Sequence, residues 1–85
     1  MVVEEKIKQI TDAMDQLAGD TSVPRNIRRG AQESKNMLLK NEDSLDVRIA
    51  SANSKLDDLA NDPNIPMHAR TLIWSIMSQL ESVKT

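Results

Sequence analysis

The chain has 85 residues, a formal charge of −2, one tryptophan, no phenylalanine, no tyrosine and no cysteine. This length holds one domain with a small core, so a pocket for a large cofactor would come at a high cost in stability. The missing cysteines exclude a disulfide framework, a thiolate zinc site and a cysteine nucleophile. The slightly acidic balance gives no global attraction to nucleic acid.

The first helix is predicted over 3–18. Val3, Ile7, Ile10, Met14 and Leu17 alternate in steps of four and three, which places them on one helical stripe. Gly19 then offers a residue that tolerates the left-handed conformation beyond a helix C-terminus. Pro24 suits the first turn of the second helix, predicted over 24–40, and Val23 before it is placed to pack back onto that helix. The stripe of the second helix is Ile27, Ala31, Ser34 and Leu38. Asn41 ends it, and Asp43 or Ser44 caps the third helix, predicted over 44–60, whose stripe is Leu45, Ile49, Ala52, Leu56 and Leu59. Asn61, Ile65 and Pro66 repeat the roles of Gly19, Val23 and Pro24. They lead into a fourth helix over 66–83, with Ala69, Leu72, Ile73, Ile76, Leu80 and Val83 as its stripe.

The third helix copies the first with an ungapped offset of 42. Asp15, Leu17, Ala18, Asp20, Pro24, Arg28 and Leu38 recur as Asp57, Leu59, Ala60, Asp62, Pro66, Arg70 and Leu80. The chain therefore reads as one helical domain over 1–85, a helical hairpin used twice, at 3–40 and 45–82. Strands and tight hairpins draw on aromatic residues and glycine, which are scarce here, so the fold class is all-α. Short connections make successive helices antiparallel neighbours, and four helices with one apolar stripe each close economically as an antiparallel four-helix bundle. The alternative is a two-repeat HEAT-like solenoid, whose repeat length includes 42. Solenoids, however, usually need three or more repeats to be stable.

The turn segments carry a resemblance. Asp15-Gln16-Leu17-Ala18, Thr21-Ser22-Val23-Pro24-Arg25-Asn26-Ile27-Arg28-Arg29, Leu59-Ala60-Asn61-Asp62-Pro63-Asn64-Ile65-Pro66 and His68-Ala69-Arg70-Thr71-Leu72-Ile73-Trp74 are similar to uncharacterised protein family 0147, a small archaeal group. The likeness runs over essentially the whole chain. Gly30, inside the second helix, is an unusual choice. The resemblance implies an archaeal cytoplasmic protein with an all-α bundle, and it implies no function.

The catalytic inventory is thin. His68 is the one histidine, so a multi-histidine metal site is excluded, and as a general base it has no partner visible in sequence. Adjacent carboxylates such as Asp57 and Asp58 diverge by about 100° on a helix and do not form a shared-proton pair. Gly19 and Gly30 stand alone and make no phosphate loop. The expectation is a protein that is not an enzyme and needs neither cofactor nor metal. The repeated frame of Asp20, Pro24, Asp62 and Pro66, with Arg28 and Arg70, reads as architecture: the aspartate caps the helix start or holds the turn, and the arginine pairs with it.

Two surfaces are candidates for binding. Charge alternates along the chain: −3 over 1–20, +4 over 21–41, −4 over 42–62 and +1 over 63–85. The basic segment either sits between acidic neighbours as a packing device or presents Arg25, Arg28 and Arg29 to RNA phosphate or an acidic protein. Single-strand binding also wants aromatic platforms, and Trp74 alone is available. Trp74 lies about 140° from Ala69 on the fourth helix, off the apolar stripe. Met67, Arg70 and Met77 are near it, and Trp, Met and Arg are enriched at interfaces. The offset of 42 matches Trp74 to Gln32, so the duplication does not require an aromatic there.

The preferred reading is therefore a small non-enzymatic helical protein that acts through protein–protein contacts, as an adaptor or accessory subunit or as a homodimer. The alternative is an RNA- or ribosome-associated factor using the basic second helix. The acidic start Met1-Val2-Val3-Glu4-Glu5-Lys6 has no apolar h-region, and the absent disulfides fit a reducing compartment, so the expected location is cytoplasmic. The longest uncharged run, Thr71 to Leu80, is half of the about 20 residues a bilayer needs, and no membrane partner is expected.

Overall fold

The structure, a computed structural model, describes residues 3–83. These form α1 (Val3–Ala18), α2 (Arg25–Leu38), α3 (Leu45–Ala60) and α4 (Met67–Ser82). The apolar stripes become the core, except that Val3, the first residue of α1, lies at the end of the packed face and stays 39% exposed. Ile10, Met14 and Leu17 of α1, Ala52 and Leu56 of α3, and the whole series Ile27–Ala31–Ser34–Leu38 and Ala69–Ile73–Ile76–Leu80 are buried. Ile7, Leu45 and Ile49 lie half-buried against the core. Ser34 is enclosed but satisfied, because its Oγ donates to Ala31 O at 2.8 Å.

Each helix packs on its neighbours in sequence, and α1 packs on α4, while the diagonal pairs do not meet. The α1–α4 contact closes the ring and makes the fold an antiparallel four-helix bundle rather than an open solenoid. Its radius of gyration, 12.0 Å, is what a globule of this length should have, about 12 Å. The ring order also puts the basic α2 between the acidic α1 and α3. Lys35 of α2 pairs with Asp15 of α1 at 2.8 Å, and Lys55 of α3 pairs with Glu33 of α2 at 3.0 Å.

The turns depart from the expectation in an informative way. No described residue has a positive φ, and Asn61 sits at φ −88°, ψ 0°. Gly19 and Asn61 thus do not serve as left-handed caps. Each helix tightens instead: Gly19 N donates to Asp15 O and Asp20 N to Leu17 O, as Asn61 N does to Asp57 O and Asp62 N to Leu59 O. The connection at 39–44 has the same backbone, with Leu39 N bonded to Lys35 O, Lys40 N to Met37 O and Asp43 N to Lys40 O. One turn is used at all three corners.

An arginine on the fourth residue of the following helix returns to each corner. Arg28 Nε donates to Val23 O at 3.0 Å, Arg48 Nε to Leu38 O at 2.8 Å and Arg70 Nε to Ala60 O at 3.1 Å. For α2 and α3 the acceptor is the carbonyl of the last helical residue, one of the groups a helix end leaves without an intrahelical partner. A positive group is favourable there. Arginine supply replaces the left-handed cap, and these side chains bind backbone rather than the turn aspartates.

Gly30 is explained by close approach. A Cβ there would lie 2.9 Å from Leu59 Cδ1 and nearer still to Cδ2. The residue 42 positions on, Leu72, is half-buried against the core. The α2–α3 seam is therefore held tight by a glycine that the other hairpin does not need. Replacing Gly30→Leu is expected to cost on the order of 2 kcal/mol through overpacking. That lowers the melting temperature by roughly 10 °C in a chain of this size. Adding Leu59→Ala should recover part of the loss in thermal denaturation, because the truncated side chain vacates the space.

Candidate functional site

The turns 19–24 and 61–66 lie at one end of the bundle and are tied together across the hairpins. Asp20 Oδ1 accepts from Ser22 N at 2.9 Å and from Ser22 Oγ at 2.6 Å. Asp62 Oδ1 accepts from Asn64 N at 2.8 Å. Both aspartates close their own turn, as short polar side chains do two residues ahead. Pro24 and Pro66 occupy the N-cap positions with no side-chain cap bond, so the aspartates hold turns and do not cap helices. Ser44, by contrast, caps α3, its Oγ accepting from Val47 N at 3.4 Å.

The second oxygen of each aspartate crosses to the other hairpin. Asp20 Oδ2 meets His68 Nε2 at 3.0 Å, and Asp62 Oδ2 accepts from Asn26 Nδ2 at 2.9 Å. Asn26 and His68 are themselves 42 apart. Residue i of one copy meets residue j of the other and the reverse also holds, as in a two-fold interface. His68 thus has the partner that sequence spacing could not reveal.

His68, Asp20 and Ser22 are the residue types of a hydrolytic triad, but their connectivity is different. One nitrogen, Nε2, faces both Asp20 Oδ2 and Ser22 Oγ, the latter at 3.2 Å. In a triad the two ring nitrogens serve the acid and the nucleophile separately. Here the Ser22 hydroxyl donates straight to Asp20, so the imidazole is not aligned to take its proton. The cluster works as a strap. Among the described residues no three His, Asp or Glu gather to hold a metal ion.

A cleft of about 80 Å³ between α1 and α4 is lined by Lys6, Gln9, Ile10, Gln79 and Ser82. Ligand pockets run from about 300 Å³ upward, so it is too small for a cofactor-sized ligand. Lys6 Nζ spans its rim to Ser82 O at 3.3 Å and Ser82 Oγ at 3.1 Å.

Of the three basic candidates on α2, Arg28 is half-buried and spent on Val23 O. Arg25 and Arg29 are exposed on the outer face, and neither makes an ion pair among the described residues.

The outer face of α4 is different. Met67 is 68% exposed and Trp74 55% exposed, while Ala69, Ile73, Ile76 and Leu80 of the same helix are at 0%. No neighbouring helix or loop covers the indole. Met77 and Arg70 are half-buried beside it, with Arg70 committed to Ala60 O. The counterparts on α2 are Arg25 for Met67 and Gln32 for Trp74. Equivalent faces of the two hairpins therefore carry charge in one copy and apolar surface in the other. A further residue escaped the sequence reading: Asn53, whose buried Oδ1 has no hydrogen-bond partner. Its polar identity gave no signal of burial.

The Asp20 carboxyl is held below its ordinary value of 3.8, first by the Ser22 hydroxyl, then by the Ser22 amide and His68. A depressed carboxyl stabilises the fold above its unfolded value and loses that contribution as pH falls through the folded one. The gap in melting temperature between wild type and Asp20→Asn should therefore be present near about pH 6 and close as pH drops below the ordinary carboxylate value. Asp62→Ala should lower stability by about 1 kcal/mol, and a double-mutant cycle with Asn26→Ala should show positive coupling. Strict additivity would mean the cross-hairpin bond carries no energy.

Comparison with known proteins matches residues 1–83 to the model of an Uncharacterised protein family (UPF0147). The UPF0147 protein of Methanocaldococcus jannaschii is 48% identical over 81 residues, covering 95% of this chain and 87% of its own. That of Pyrococcus horikoshii is 43% identical over 83 residues, 96% and 89% of the two chains. The crystal structure of a family protein from Thermoplasma acidophilum superposes with TM-score 0.90 at 41% identity over 95% of both chains. A second crystal structure, of a protein of unknown function, gives TM-score 0.93 at 46% identity over 96% and 93%. With its four-helix fold and nearly its whole length matched, this chain belongs to the uncharacterised protein family UPF0147, whose members here are archaeal and carry no assigned function.

Proposed function

We propose that the protein is a non-enzymatic helical module of the cytoplasm that works by protein–protein contact, as an adaptor or accessory subunit, through the outer face of α4. The observation that carries the reading is the exposure of Trp74 and Met67, 55% and 68%, on a helix whose other large apolar residues are covered. A tryptophan in water forgoes a large burial energy, and Trp is the residue most enriched among interface hot spots. The thin catalytic inventory and the small cleft support the non-enzymatic part. No helix among the described residues is long and apolar enough to cross a membrane.

The runner-up is an RNA- or ribosome-associated role through Arg25 and Arg29, favoured by their exposure without ion pairs. Against it, the stacking ring and the cations stand on α4 and α2, helices that do not touch. Two arginines would give a salt slope of about −2, and filter binding of RNA across salt measures it directly.

Trp74→Ala separates the readings. An exposed ring contributes little to folding, so the variant should melt within a few degrees of wild type, the effect of about 0.5 kcal/mol. Proteins captured by wild type from native-host extract should be lost with the variant and should survive RNase. Capture that is unchanged by Trp74→Ala and abolished by RNase would move the function to the arginines.

A further inference from the structure

The surroundings of Trp74 narrow the kind of partner. Arg70 Nε reaches Ala60 O at the end of α3, which sets the register of the antiparallel pair α3–α4. Asp57 lies three residues before the end of α3 and Trp74 seven residues beyond the start of α4, so Trp74 stands about one turn further from the corner. Lys55 turns toward α2, where it pairs with Glu33. Asp57 lies about 160° around α3 from Lys55 and is thus on the α4 side. On α4, Met67, Trp74 and Glu81 follow one another at steps of seven, two turns apart, on a single line.

Charge along this groove is one-sided. Asp57 and Glu81 are exposed, and neither makes an ion pair among the described residues. Arg70, on the same side of α4, is half-buried and holds a backbone carbonyl. Of the other exposed acids, Asp12 and Asp15 have lysine partners, while Glu4, Glu5 and Glu42 lie outside this groove. An apolar ridge edged by unpartnered carboxylates repels phosphate and attracts a cationic amphipathic surface.

Building on the protein-contact reading above, we propose that the α3–α4 groove receives a cationic amphipathic helix of a partner protein. Its apolar side chains would cover Trp74 and Met67, and its lysines or arginines would face Asp57 and Glu81. The mode is a helix laid in a groove, with apolar anchors at helical spacing and charge setting the choice of partner.

The test uses the whole chain and two fluorescently labelled synthetic helices of the same length, one of leucine and lysine, the other of leucine and glutamate, followed by anisotropy. The lysine helix should bind saturably and the glutamate helix should not. Trp74→Ala should weaken binding by about tenfold or more, the loss expected of a central hot spot. The double change Asp57→Asn, Glu81→Gln should weaken it several-fold and flatten its salt dependence. Glu4→Gln with Glu5→Gln, which removes charge from exposed carboxylates on α1, should leave it unchanged. Equal binding of both helices would overturn the cationic partner while keeping the protein-contact reading. Equal losses from the α1 and α3–α4 changes would reduce the effect to net charge and overturn the groove. Sedimentation showing a dimer that Trp74→Ala dissociates would give the face to a second copy. No binding of either helix would overturn both readings.

Discussion

A six-residue corner has to reverse a helix and still satisfy the carbonyls that the helix end leaves open, and the rest of this bundle follows from how that is done. The chain tightens the last turn in the same way at 19–24, 39–44 and 61–66 and recruits an arginine from the fourth position of the next helix, which takes the last helical carbonyl of α2 and of α3 and, after α1, the corner carbonyl of Val23. Because the arginine arrives from the following helix, it ties the corner to the start of that helix, and Arg48 and Arg70 tie it to the end of the previous one as well. Successive helices are then antiparallel neighbours, and the ring is completed where α4 meets α1.

Closing four short helices into a ring buries one stripe on each and leaves one face of each outside. The outer faces have diverged although the hairpins repeat. On α2 the face carries Arg25 and Arg29, flanked by acidic helices that pair with Lys35 and through Glu33. On α4 it carries Met67 and Trp74. At the shared end of the hairpins the opposite holds: Asp20 with His68 and Asp62 with Asn26 keep the two copies interlocked. The shared corners hold the fold, and the differences at Arg25 against Met67 and Gln32 against Trp74 are exposed on it.

Much of this was legible in the residues. The stripe at Ile27–Leu38 emerges buried in full and that of α4 is buried except for the half-buried Leu72, since amphipathic periodicity reports directly on which face is covered. The offset of Trp74 from its stripe put it outside the core for the same reason. The corners were harder. Gly19 and Asn61 looked like left-handed caps because residue type tells what a backbone tolerates, not what it adopts. Arg28 and Arg70 looked like partners of the turn aspartates, because sequence spacing does not reveal that the long side chain takes a backbone carbonyl instead, that of Val23 for Arg28 and the helix-end carbonyl of Ala60 for Arg70. The pairs Asp20–His68 and Asp62–Asn26 span 48 and 36 residues. No local pattern encodes such pairs, although the offset of 42 between Asn26 and His68 held the signal. Gly30 was visible as an oddity, and its cause, the approach of Leu59, required the packing.

The central claim is that the α4 face is open in the folded monomer and held for another protein. The emission spectrum of Trp74, the one tryptophan of the chain, tests it most directly when recorded over a wide range of protein concentration. The account predicts the red emission of solvated indole, unmoved by dilution and changing little on unfolding. A blue-shifted maximum that reddens only on unfolding would place the ring inside the monomer, and one that reddens on dilution would place it in a self-association; either result would contradict the account.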